Sequence, residues 1–172
     1  PPNPKLPLAL LIVLSLLQVF LFSAYIDREI TWTHAFGFDQ GVYLHQAYSA
    51  YDTLASGGLW RAFSAPIAAG ALLPAEAALF FTIFGASRKV ALSLHLAHWL
   101  LCQWLCFFAA RKLGRSQSWG FAALGLLLAL QSPLLPLGGL FDFRYDGDAL
   151  CLFGALAALV CLSESFRLRP AS

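Results

Sequence analysis

Four stretches without a single Asp, Glu, Lys or Arg set the terms on which this chain can fold. They run from Leu6 to Tyr25 (20 residues), Val90 to Ala110 (21), Ser116 to Phe141 (26) and Ala149 to Ser163 (15). A helix needs about 20 apolar residues to cross the hydrocarbon core of a bilayer. The first three windows meet that length, and the fourth reaches it by borrowing its flanks. Inside a bilayer the backbone must satisfy its own hydrogen bonds, so such windows fold as helices. Composition agrees: 59% of the residues are hydrophobic, 12% are charged and the mean hydropathy is +0.70. A soluble domain carries about 25% charge. The expected fold is therefore an all-α, polytopic transmembrane helical bundle forming a single membrane domain. Its four spans fall at about 6–25, 90–110, 117–141 and 149–165.

Lys5 precedes the first window, as in a signal peptide, but the apolar run is too long and no small-residue cleavage site follows cleanly. It reads as a membrane anchor. The region from Ala62 to Ser87 is apolar but broken by Pro66, Gly70, Pro74 and Glu76. Its two pieces are too short to span separately and read as helices lying in, or dipping into, the interface. The chain contains no Met, even at position 1, which reads as a piece of a longer reading frame.

Short basic loops orient the spans. Arg111, Lys112 and Arg115 lie between two windows, and Arg167 and Arg169 follow the last; both groups read as cytoplasmic. The acidic loop from Asp142 to Asp148 is then outside. If 62–87 does not span, the N-terminus is inside and 26–89 is outside, with six Lys and Arg inside and five outside. If it does span, the N-terminus is outside and the division is seven to four. The charge rule does not choose between them.

Asp39 stands at the head of the first polar loop and can cap a helix in which Val42, Tyr43, Gln46, Ala47, Ala50 and Leu54 recur at helical spacing. Tyr43, Tyr48, Tyr51 and Trp60 suit the headgroup zone. His95 and His98 lie three apart on one face of the second span. Histidine inside a membrane is costly and often functional. A haem or metal would need ligands from another helix, and no other span carries a His, so these two read as structural or cavity-lining. Cys102, Cys106, Cys151 and Cys161 fall in the spans and read as small apolar packers. No zinc spacing, phosphate loop or basic nucleic-acid patch occurs. The run Gly154-Ala155-x-Ala157-Ala158 favours close helix packing.

The order of these features resembles the N-terminal part of the GT-C superfamily of membrane glycosyltransferases, which includes protein O-mannosyltransferases and aminoarabinose transferases. The shared pattern is a first span, an outer loop with an Asp (FDQGVY) and an interfacial stretch (LFFTIFGAS). A span ending in basic residues (FFAARKLGR), a span ending near Pro (LLALQSPLLPLGG) and an outer loop with Arg and Asp (FRYDGDAL) follow. Within the superfamily the chain most resembles an uncharacterised branch of predicted bacterial and archaeal membrane proteins. Members carry F-D-x-G early and L-F-D-F-H-x-E-A-L before the fourth span. Here these read Phe38-Asp39-Gln40-Gly41 and Leu140-Phe141-Asp142-Phe143-Arg144, then Asp148-Ala149-Leu150. The likeness covers most of residues 6–163.

The resemblance implies sugar transfer from a polyprenyl-phosphate donor at the outer face of a bacterial inner membrane. It casts Asp39 as general base, and Arg144, Asp146, Asp148, Arg61, His45 and Tyr43 as substrate-binding residues. Arg144 or Arg61 would take the charge of the departing phosphate. Asp146 or Asp148 could bind the acceptor, orient Arg144 or hold a divalent metal with Asp39. The implied partners are the lipid-linked sugar, membrane lipids and further C-terminal spans, with no nucleic acid.

Two departures stand out. Arg144 replaces the His of the family motif, and Ala62-Phe63-Ser64-Ala65-Pro66 lacks the His that many relatives carry there. Either an arginine takes over that role or the protein is a divergent or inactive member. A reading from another class remains: a non-catalytic membrane module, such as a transporter or assembly subunit, built on the same packing.

Overall fold

The computed structural model describes residues 6–30, 38–58, 72–114 and 116–134, with Gly154, Ala155, Ala157, Ala158 and Val160. Among these residues the chain is all-helical. The order is α1 (Leu6–Tyr25), a π-helical turn (Ile26–Ile30), α2 (Phe38–Ala55), α3 (Leu72–Phe84), α4 (Arg88–Leu113) and α5 (Gln117–Leu134). Two helical stretches, Leu6–Arg28 and Arg88–Leu113, are long and apolar enough to cross a membrane. The third window yields the 18-residue α5, with Pro133 in its last turn. The fourth is described only at five positions, all helical. The residues fall into two compact units: 1–21, 98–136 and 150–172 form one, and 22–97 and 137–149 the other.

In the first unit α1 packs on α4 through polar groups. Gln18 and Gln103 exchange reciprocal amide bonds: Gln18 Nε2 donates to Gln103 Oε1 at 2.8 Å, and Gln103 Nε2 to Gln18 Oε1 at 2.7 Å. Trp99 Nε1 also donates to Gln18 Oε1, at 3.0 Å, and Gln18 Nε2 reaches the Leu14 carbonyl at 3.4 Å. Both donors and both lone pairs of the Gln18 amide are thereby engaged. One turn away Trp104 Nε1 donates to Ser15 Oγ at 2.9 Å, and Ser15 passes its own proton to the Leu11 carbonyl at 2.9 Å. Leu11, Phe107 and Leu124 continue the contact as a buried apolar cluster.

The outside of α1 has the opposite character. Val13, Leu16, Leu17 and Phe20 are 62%, 63%, 52% and 68% exposed. Only 17% of the most apolar window of α1 is buried, against 56% for α4. A helix with amides inside and large aliphatics outside is built for hydrocarbon, where interhelical hydrogen bonds and close packing hold helices together. Small residues supply the close packing. A Cβ on Gly120 would come within 2.9 Å of the Phe107 ring, and one on Gly154 within 3.3 Å of Leu105 and 3.4 Å of Cys102 Sγ. The Gly154 contact is the one the small-residue run predicts.

Within the first unit these contacts also fix the relative direction of the two helices. As α1 advances from Leu11 through Ser15 to Gln18, its partners on α4 retreat from Phe107 through Trp104 to Gln103 and Trp99. The two helices are antiparallel. The 13-residue α3 is about 20 Å long, short of a hydrocarbon core of about 30 Å. Within the second unit Asp27 accepts from Lys89 Nζ at 2.8 Å, joining the exit of α1 to the entry of α4.

Replacing Gln18 by Leu should weaken the α1–α4 contact, because Gln103 and Trp99 lose their shared partner inside an apolar layer. A double-mutant cycle with Gln103→Leu, followed by unfolding in mixed micelles, should return a coupling of about 0.6–1.7 kcal/mol. Strict additivity would show that the two amides do not meet.

Candidate functional site

The second unit carries the polar residues on which chemistry could rest. α2 and α3 pack against one another. Phe81, 1% exposed, stacks on Tyr48 at 5.2 Å and receives the Tyr51 ring edge-on at 5.9 Å. Such aromatic pairs add to the area they bury. Leu44, Ala47 and Ala50 on α2, and Leu73, Ala75, Ala77 and Ala78 on α3, complete this layer. The buried stripe of α2 is therefore rotated from the periodic one: Val42 is 40% exposed and Gln46 only half-buried. Tyr48 and Tyr51 both contact Phe81 of α3 and stay half-buried.

Pro74 does not break α3. It lies in the first turn, where a missing N–H costs nothing, and the helix runs on through Glu76. Gly85 ends it with φ +86° and an N–H to the Phe81 carbonyl at 2.9 Å. That backbone conformation suits glycine. Ser87 Oγ then accepts from the Val90 N–H at 3.2 Å, capping α4.

Asp39 falls within α2, at the second of the residues described there. The register sets positions 39, 43 and 46 on one side of α2 and position 45 on another, since residues two apart do not share a face. Tyr43 is half-buried and His45 exposed. Gln46 shares the side of position 39, and its Oε1 is buried with no hydrogen-bond partner among the described residues. Arg61, Arg144, Asp146 and Asp148 lie outside the described residues.

Glu76 and Arg88, to which sequence reasoning gave no functional role, belong to this unit. Glu76 is the sole charge in α3 and is half-buried; Arg88, at the head of α4, is half-buried as well. Burial pushes the Tyr48 phenol above its ordinary value near 10, and the Arg88 charge offsets part of that rise. A lone acid in an apolar helix was the available signal for Glu76, hidden by its apparent role as a helix breaker. His95 is 1% exposed within this unit, and His98 is 9% exposed within the other. Among the described residues no three His, Cys, Asp or Glu side chains converge on a metal-sized site. Cys102 is buried and Cys106 half-buried.

No protein family, curated protein or solved structure matches this chain.

Proposed function

We propose that this chain is the N-terminal membrane module of a GT-C-like glycosyltransferase, moving a sugar from a polyprenyl-phosphate donor to an acceptor at the outer face of the membrane. The observation that carries this reading is the return of the segment after α1 to the end of the α1–α4 pair it left. Two short packed helices occupy that segment, and Asp39 falls within the first of them. This is the order in which the resemblance arranges its features.

The chemistry asked of Asp39 is a single proton transfer. The acceptor hydroxyl attacks the anomeric carbon, the bond from that carbon to the phosphate oxygen breaks, and the polyprenyl phosphate leaves with the electron pair. Asp39 takes the hydroxyl proton from the face opposite the leaving group. Arg144 and Arg61 are proposed to take the charge of the departing phosphate through bidentate contacts. Tyr43 shares the side of position 39 and could meet the acceptor. His45, on another side of α2, serves the same substrate only from a different direction.

In the full-length protein, Asp39→Asn should lower the sugar-transfer rate by about 10²-fold or more, while expression is unchanged. Even at a helix start the lost charge costs about 0.3–1 kcal/mol, too little to unfold α2. Wild-type transfer in the Asn variant would assign the chain to the alternative, a non-catalytic membrane module.

Orientation has its own test. Ser56 is exposed in the turn after α2, so a Ser56→Cys variant without the native cysteines should react with an impermeant thiol reagent on intact cells. Labelling that appears only after lysis would put the segment in the cytoplasm and remove the outer-face site.

A further inference from the structure

Charge is divided unevenly between the two units. The first, residues 1–21, 98–136 and 150–172, contains Lys5, Arg111, Lys112, Arg115, Arg167 and Arg169 but a single acid, Glu164. The other eight acids of the chain fall in the second unit, beside five Lys and Arg. Three of the six cations of the first unit stand between Arg111 and Arg115, and no acid occurs in the sequence between Glu76 and Asp142. A cationic cluster with so little opposite charge in its own unit attracts anions from outside that unit.

The turn that carries the cluster is built around a tryptophan. Arg111 and Lys112 occupy the last turn of α4, both half-buried, and three residues, Gly114 to Ser116, lead into α5. The Gly114 N–H donates to the Ala110 carbonyl at 2.9 Å. A Cβ on Gly114 would collide with the Trp119 ring, so the indole lies directly on the turn. Trp99 and Trp104 donate their N–H groups inside the bundle, whereas Trp119 is 61% exposed. With 26 residues α4 is about 39 Å long, longer than the roughly 30 Å of a hydrocarbon core. When α4 crosses a bilayer, its basic last turn therefore reaches the lipid phosphates. An exposed indole beside it suits that same layer.

We infer that the end of α4 is a binding site for the headgroup of an anionic phospholipid, with Arg111 and Lys112 taking the phosphate and Trp119 lying beside the lipid at the interface. The guanidinium offers a planar pair of N–H groups to phosphate oxygens, and the ammonium a compact second charge. Arg115 adds a third charge nearby in sequence. The inference rests on α4 crossing a bilayer and is independent of sugar transfer. It claims a local site, in addition to the diffuse attraction that any cation feels toward an anionic leaflet. Each cation near such a surface favours the anionic lipid by about fivefold.

Quenching by spin-labelled lipids tests this on the full chain. A fluorophore is placed on Leu113→Cys, 53% exposed at the end of α4, in a cysteine-free background. Leu101→Cys, 52% exposed on the same helix, serves as the reference. Each protein is reconstituted into phosphatidylcholine vesicles that contain an equal share of nitroxide-bearing phosphatidylglycerol or phosphatidylcholine. Phosphatidylglycerol should quench the Leu113 label in preference to phosphatidylcholine, while the two lipids quench the Leu101 label alike. Arg111→Gln with Lys112→Gln should lower the preference at Leu113 by about fivefold or more, and the exchange Arg111→Lys with Lys112→Arg should keep most of it. Quenching of the Leu101 label by phosphatidylcholine checks that each variant still lies in the bilayer; where one does not, the wild-type comparison of the two labels decides. Equal quenching by both lipids at Leu113 would overturn the site, as would a preference that survives the loss of both cations. The same preference at Leu101 would reduce it to diffuse attraction and overturn it too. Relief of the quenching by inorganic phosphate, beyond that by chloride of equal ionic strength, would show a site for the free ion and overturn the lipid assignment.

Discussion

The Gln18 amide, with all four of its hydrogen-bonding positions engaged, is the interaction on which the rest of the arrangement depends. An amide this well satisfied tolerates an apolar surround, whereas one left without partners there costs several kcal/mol. The Trp104–Ser15–Leu11 relay repeats the device one turn away. Hydroxyls elsewhere are also turned onto their own helix: Thr82 to Ala78 and Ser93 to Lys89. Polar atoms are gathered between or within helices, and aliphatic side chains are left to face outward. Water would reward the reverse.

From that contact the path of the chain follows. Antiparallel α1 and α4 require the segment between them to come back to the end it left, and the Asp27–Lys89 pair joins those ends in the second unit. That pair is 43% and 58% exposed at its side chains, so it adds little stability and serves as a marker of position. The stronger contact at that end is aromatic, with Phe81 between Tyr48 and Tyr51. The two short helices are thus fixed to one another without needing a span of their own.

Much of this was legible in the sequence, for reasons that differ by element. The first uncharged window coincides with α1 because a bilayer imposes length directly on composition. The second window is shorter than α4, which runs from Arg88 to Leu113, because charged residues are welcome once a helix reaches the headgroups. Gly154 was readable because close packing in a membrane demands small residues. The face of α2 was not readable: Val42 and Leu44 are equally apolar, and only the position of Phe81 decides which turns inward. Pro74 and Glu76 looked like breaks, yet a proline in a first turn is harmless and a half-buried acid can be carried by an apolar helix. For the candidate site the sequence supplied Asp39 and a helix to carry it, and the register then separated Tyr43 from His45. Arg61, Arg144, Asp146 and Asp148 rest on the resemblance alone, because a loop residue leaves no periodic trace of what it faces.

The central claim is that α1 turns its amide-bearing side to α4 and its aliphatic side to lipid. A photoreactive benzoylphenylalanine placed singly from Leu10 to Leu21, in protein reconstituted into vesicles, tests it most directly. Probes at Val13, Leu16, Leu17 and Phe20 should give lipid adducts, while probes at Leu11 and Leu14 should cross-link within the protein to α4 or α5. Lipid adducts distributed evenly around the helix, or absent from all positions, would contradict the account.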